Sequence, residues 1–109
     1  MSVASGNADN VETASFELSG AASAKVIGSL VFSTVGGLLT PGESAIAEGR
    51  VSQIDLAGIT ASDSSGLALL IEWLSVAKSA GKTLTYANMP TQLHQIARLS
   101  EVEELVAPK

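Results

Sequence analysis

Cysteine is absent from this chain, which excludes a disulfide framework, a thiolate nucleophile and a zinc–thiolate centre together. That absence fits a reducing compartment. Aromatic residues are scarce at 4%, so Leu, Ile, Val and Ala have to form the core. Basic residues are few as well: Lys and Arg number 6 against 11 Asp and Glu, for a net charge of -5. Such a balance argues against non-specific binding to nucleic acid and against adhesion to anionic lipid head groups. The longest apolar stretch, Val26 to Leu39, falls short of the ~20 residues a membrane helix requires. It is also interrupted by Gly28, Ser29, Ser33, Thr34, Gly36 and Gly37, so no membrane insertion is expected.

Met1 to Glu12 has neither the basic flank nor the apolar run of a secretory signal. Its Ser, Gly, Asn and Asp content reads as a flexible tail. The remainder, residues 13–109, is one domain, a size at which roughly two-thirds of the unfolded surface is buried.

Thr13 to Leu18 alternates polar and apolar residues as an edge strand does, and Ser19-Gly20 marks a turn. Lys25 to Phe32 is the second strand, with Gly28 at a bulge or a close backbone approach. Val35, Leu38, Leu39 and Ile46 share one helical face, which predicts a single kinked helix from Thr34 to Glu48. Thr40-Pro41-Gly42-Glu43 is nonetheless a capping box with Pro at the first helical position, so a fresh start at Pro41 stays open. Val51 to Leu56 reads as a buried strand, Ser65 to Ala80 as a helix closed by Gly81, Thr83 to Ala87 as a strand and Thr91 to Leu99 as the next helix. Strands alternating with helices imply parallel crossovers. The expected fold is α/β, a mixed four- to five-stranded sheet with helices packed against it.

Most chemistry fails on spacing. Gly36-Gly37 and Pro41-Gly42-Glu43-Ser44 supply glycine without the lysine a phosphate loop needs. His94 is the only histidine, and no metal site assembles around it. A Ser64–His94–Asp63 triad is formally available, but sequence-adjacent Asp and Ser seldom orient a shared histidine, and no oxyanion feature accompanies them. Asp55, between Ile54 and Leu56, reads as a strand-end carboxylate capping a neighbouring loop.

The informative stretch is Ile54-Asp55-Leu56, a short loop, then Asp63-Ser64-Ser65-Gly66-Leu67 at the start of an apolar helix. A helix start leaves backbone N–H groups without intrahelical partners, and an Asp or Ser cap there contributes ~1 kcal/mol. One cap is needed, yet Ser62, Asp63, Ser64 and Ser65 all qualify. The surplus points to a surface that another macromolecule grips, or to a phosphate on Ser64 acting as a switch. Along the helix, Leu67, Leu70, Ile71, Leu74 and Ala77 form a stripe expected to face the sheet. Leu69, Trp73, Val76 and Ala80 form a second stripe. Either a neighbouring helix covers it, or Trp73 meets a partner.

At these residues the chain resembles a STAS domain. The matching run is Ile54-Asp55-Leu56, Asp63-Ser64-Ser65-Gly66-Leu67 and Ala77-Lys78-Ser79-Ala80-Gly81-Lys82. Pro90 and Leu99-Ser100-Glu101-Val102-Glu103-Glu104-Leu105 also match, and the resemblance covers roughly residues 13 to 107. Two branches are similar. In anti-sigma-factor antagonists the first serine, here Ser64, is the phosphoacceptor of a partner kinase. In MlaB, the small STAS subunit of the Mla phospholipid-transport ABC complex, the same loop and helix start dock on the cytoplasmic ATPase subunit (MlaF-like). Gly66-Leu67-Ala68-Leu69-Leu70-Ile71-Glu72-Trp73 and Tyr86-Ala87-Asn88-Met89-Pro90 resemble the transporter branch more closely. Antagonists usually show Gly-Glu-Leu-Asp after the second strand, where this chain has Gly28-Ser29-Leu30-Val31. The resemblance therefore implies a non-enzymatic subunit without cofactor, cytoplasmic and peripheral to the inner membrane through its transporter. Such a complex maintains outer-membrane lipid asymmetry. Asp63, Ser64, Ser65, Gly66, Leu67 and Trp73 are the partner-binding candidates. The alternative is an antagonist switched by phosphorylation of Ser64.

Overall fold

A computed structural model describes residues 12–106; the expected tail up to Val11 and the closing Pro108 lie outside them. Chain order is β1 (Ala14–Gly20), β2 (Ser23–Leu30), α1 (Phe32–Ala47), β3 (Gln53–Ser62), α2 (Ser64–Ser79), β4 (Thr85–Ala87), α3 (Thr91–Leu99) and α4 (Glu103–Val106). The sheet is four-stranded in the order β1-β2-β3-β4. β1 and β2 form an antiparallel hairpin, while β2–β3 and β3–β4 run parallel across the helical crossovers that parallel strands require.

Burial alternates cleanly along β2, where Ala24, Val26 and Leu30 point into the core and Lys25 and Ile27 are exposed. One face of the sheet thus carries the helices and the other stays open. On the core side Ile54, Leu56 and Ile59 of β3 meet Leu67, Leu70 and Ala77 of α2 and Leu93 and Ala97 of α3 in a single cluster.

β3 is longer than Val51 to Leu56. The registers Lys25↔Asp55 and Ile27↔Gly58 leave one extra residue on β3, and Gly28↔Ile59 and Ser29↔Ala61 leave another. These bulges break the period-2 alternation just where the pattern appeared to stop. Asp55 accepts from Ala57 N–H at 2.9 Å and from Asn88 Nδ2 at 3.0 Å. The Asn88 bond first, and the Ala57 bond after it, hold the Asp55 carboxyl below its ordinary value. Gly28 takes φ +107, and a Cβ there would lie 2.2 Å from the Thr13 carbonyl, so it is the site of close approach anticipated for it.

α1 is one continuous helix with Pro41 inside it, not a fresh start at Pro41. The bond Pro41 cannot donate would have gone to the Gly37 carbonyl, and Gly37 is exposed, so no buried acceptor is orphaned. Thr34 folds back on the first turn: its Oγ1 accepts from Val31 N–H at 3.0 Å and donates to Ser29 O at 2.6 Å.

Trp73 joins the two long helices. It is 0% exposed, its ring lies edge-on to Phe16 with centroids 5.5 Å apart, and its Nε1–H donates to Leu39 O at 3.3 Å. Gly42 makes room for it, since a Cβ there would fall 2.3 Å from the indole. The neighbouring-helix reading of the second stripe is therefore the correct one, and Trp73 has no surface to offer a partner. The same packing rotates α2: Leu69 and Trp73 are buried with Leu67, Leu70 and Ala77, whereas Ile71 and Leu74 remain half-buried. Tyr86 is likewise buried, donating to Leu70 O at 2.6 Å, and burial pushes its hydroxyl well above the ordinary tyrosine range.

Because nothing can yield around the indole, Gly42→Val is expected to cost about 1–3 kcal/mol and Trp73→Ala about 3–5 kcal/mol. Gly37→Ala, with open space around it, is expected to stabilise by up to about 1 kcal/mol. Urea denaturation of the three variants checks the order.

Candidate functional site

The corner between β3 and α2 is built by Ser62, Asp63, Ser64 and Ser65, of which the first two make its side-chain bonds. Ser62 is 5% exposed; its N–H donates to Gln92 Oε1 at 3.1 Å and its hydroxyl to the same oxygen at 3.4 Å. Gln92, in the first turn of α3, thereby pins the end of β3. Asp63 is the helix cap, with extended backbone at φ -136. Its Oδ1 accepts from Ser65 N–H at 2.8 Å and Gly66 N–H at 3.3 Å.

The other oxygen of Asp63 reaches across to α1. Oδ2 accepts from Phe32 N–H at 3.2 Å, so one carboxylate holds the starts of both helices. Each start is a cluster of unpaired N–H groups with positive dipole character, and a single anion serves both. Asp63 N–H also donates to Leu30 O at 3.3 Å.

With Asp63 filling the cap, the Ser64 hydroxyl is not used by it. Ser64 is exposed and Ser65 half-buried. Behind them the helix is pressed against β2: a Cβ on Gly66 would lie 2.5 Å from the Leu30 carbonyl. Gly66 and Leu67 are buried. Of the six residues singled out in the sequence, Asp63, Ser64 and Ser65 form the accessible corner. Gly66 and Leu67 support it from beneath, and Trp73 lies in the core; as direct contacts these three are corrected by their burial.

Sequence reasoning missed Phe32. Read as the end of a strand, it is the first residue of α1 and is 81% exposed. Its backbone is tied to the corner through Asp63, and its ring stands over a furrow of about 400 Å³ between α1 and α2. Phe32, Val35, Gly36 and Leu39 form one wall, and Ser65, Ala68, Leu69 and Glu72 the other. The signal was available in the composition: a chain with only 2 Phe has little reason to spend one on solvent. Gly36 and Gly37, both exposed with nothing within 4 Å of a built Cβ, each cost the helix about 1 kcal/mol relative to Ala without serving internal packing.

His94 stands apart from this chemistry. Its Nδ1 lies 3.3 Å from Glu103 Oε2 and links α3 to α4. Among the described residues no group of His, Cys, Asp or Glu could hold a metal ion, and no helix is long and apolar enough to cross a membrane.

This architecture is that of a protein-interaction domain. A family model described as "Mlab, STAS domain" matches residues 14–107, and the chain belongs to the STAS family. Among solved structures, the Bacillus cell fate determinant SpoIIAA in its phosphorylated form is similar with TM-score 0.63 at 16% identity, covering 85% of this chain and 87% of that one. The anti-sigma factor antagonist SpoIIAA in its unphosphorylated form is similar with TM-score 0.61 at 17% identity, covering 79% and 82%. At these identities the likeness establishes the fold. No curated protein matches the chain.

Since Asp63 caps two helices and Ser64 caps none, Asp63→Ala is expected to lower stability by about 1–2 kcal/mol, and Ser64→Ala to change it by less than about 0.5 kcal/mol. Chemical denaturation separates the two. A larger loss from Ser64→Ala would assign the cap to Ser64.

Proposed function

We propose that this protein is a non-enzymatic STAS subunit that docks on the cytoplasmic ATPase of an Mla-type ABC phospholipid transporter, with Ser64 and Ser65 at the contact and Asp63 holding the corner in place. The observation that carries the docking reading is the exposed Ser64 hydroxyl at a helix start that Asp63 already caps. A rigid corner loses little entropy on association, which favours recognition.

Two features support the transporter branch in particular. The matching family description is that of MlaB-type STAS domains. Residues 28–31, next to the corner through the Leu30–Asp63 bond, carry no acid in place of the two usual in antagonists. This subunit would sit at the cytoplasmic side of the inner membrane through its partner, in a complex that maintains outer-membrane lipid asymmetry.

The second reading, an antagonist that docks on an anti-sigma-factor kinase, is favoured by the same free hydroxyl. A phosphate on Ser64 would bring nearly two negative charges beside the Asp63 carboxylate, enough to turn an acidic partner away.

Tagged protein purified from its native host is expected to carry an ABC ATPase with it. Ser64→Arg should reduce that recovery at least tenfold without shifting the melting temperature, because the position is exposed. Recovery of a sigma-regulating kinase alone, together with phosphate on Ser64, would contradict the transporter reading and establish the second.

A further inference from the structure

We infer that two copies of this chain join through β1, edge strand to edge strand and antiparallel, about a two-fold axis at Phe16. The four strands of each copy then make one continuous sheet. The inference is independent of the docking reading and concerns a different side of the molecule.

The backbone of β1 carries it. β1 closes one side of the sheet, and its seven residues include no Lys or Pro, the usual guards of a strand edge. The opposite edge, β4, is only three residues long and is protected by that shortness. The bond from Ser29 N–H to Thr13 O, 2.9 Å, fixes which groups of β1 face inward. In the register Ser15↔Ile27 and Glu17↔Lys25 the odd residues give their N–H and C=O groups to β2. Those of Ala14, Phe16 and Leu18 therefore point outward, and among the described residues nothing bonds them. In the strand-addition mode of recognition such a row takes another strand.

The identity of that strand follows from the side chains. A second β1 with Phe16 opposite Phe16 satisfies all three outward residues, because Ala14 meets Leu18 on both sides of the axis. Leu18, 54% exposed, is then covered, and Ser15 faces Glu17 of the other copy, a hydroxyl against a carboxylate. Moving the axis to Glu17 would set two carboxylates face to face, which is unfavourable. Moving it to Ser15 would leave Leu18 opposite a residue outside β1.

The helix above β1 leaves room for the second copy. α1 packs on β1 and β2, with α2 along its other flank. Strands lie about 4.8 Å apart, so two α1 helices, each centred between its own β1 and β2, come within about 10 Å, the upper end of helix contact distance. The flank of α1 turned away from α2 carries Ser33, Gly37, Pro41 and Ser44, spaced as one helical face and all exposed. Pro41 adjoins Gly42, which lies against the indole that Phe16 meets edge-on, so this small-residue flank stands at the level of the axis. The approach gives Gly37 a use that internal packing does not.

Sedimentation and disulfide trapping test this on the full chain, which has no cysteine of its own. Sedimentation equilibrium from micromolar to millimolar concentration is expected to show a monomer–dimer equilibrium. Ser15 and Glu17 of opposite copies form a non-hydrogen-bonded pair with Cα atoms about 4.5 Å apart, within disulfide reach. The same residue in the two copies is about 8 Å apart on the diagonal, beyond that reach. Mixed Ser15→Cys and Glu17→Cys chains should therefore form an intermolecular disulfide roughly tenfold faster than either variant alone. A chain that stays monomeric, or a dimer whose mixed variants oxidise no faster, overturns the inference. Two further variants read the interface without a thiol. Leu18→Lys guards the edge and should weaken association roughly tenfold with an unchanged melting temperature. Gly37→Gln fills the α1 flank while removing a helix-interior glycine, so it should weaken association roughly tenfold and raise the melting temperature. Either variant associating as tightly as the parent chain overturns the inference.

Discussion

A single carboxylate organises the working end of this molecule. Asp63 accepts from the Ser65 and Gly66 N–H groups in the first turn of α2 through one oxygen and from the first N–H of α1 through the other, drawing two positive helix ends to one negative charge. Everything exposed at the corner follows from that economy. Ser64 is spared from capping, Ser65 is turned toward the α1/α2 furrow, and Phe32 is held beside them despite its 81% exposure. Beneath the corner, Gln92 fixes Ser62 and Gly66 lies against Leu30, so the loop has little freedom to move. Farther down the same helix pair, Trp73 set against Gly42 keeps α1 and α2 at a constant separation. The corner is presented by a scaffold, not shaped by its own flexibility.

Much of this was legible in the sequence because local signals and tertiary packing agree. α3 spans Thr91–Leu99 as read, and α2 differs by one residue at each end. The helix-start motif with its surplus of caps located the corner. What escaped reading did so for identifiable reasons. β3 was cut short because two extra residues spoil its alternation, and bulges are set by the neighbouring strand, not by β3 itself. Trp73 was offered to a partner because a helical stripe shows only that two faces are apolar. Which one meets another helix depended on Gly42, 31 positions away. Phe32 was absorbed into an apolar run, since the register at which a strand yields to a helix is decided by Asp63 and Thr34 bonding across the junction.

Family membership and geometry narrow the function without making it an enzyme's. The STAS match puts the chain in a family of protein-interaction domains, and the likeness to both forms of SpoIIAA is one of fold. Within that class the two proposed roles share one surface and differ in what touches it: an ATPase docked at Ser64 and Ser65, or a kinase transferring phosphate to Ser64. The exposed helix-interior glycines and the unshielded Phe32 fit a docked partner in either role. Their cost to the free protein is understandable if a partner covers them for most of its life.

Side-chain footprinting by hydroxyl radicals, on the free chain and on the complex recovered from the native host, addresses the central claim most directly. Phe32, Leu99 and Leu105 are all exposed in the free protein, at 81%, 86% and 58%, and all should react. In the complex, Phe32 is expected to become protected while Leu99 and Leu105 on the α3/α4 side remain reactive. The reverse pattern, with Phe32 still reactive and the α3/α4 leucines shielded, would place the partner elsewhere and contradict the account.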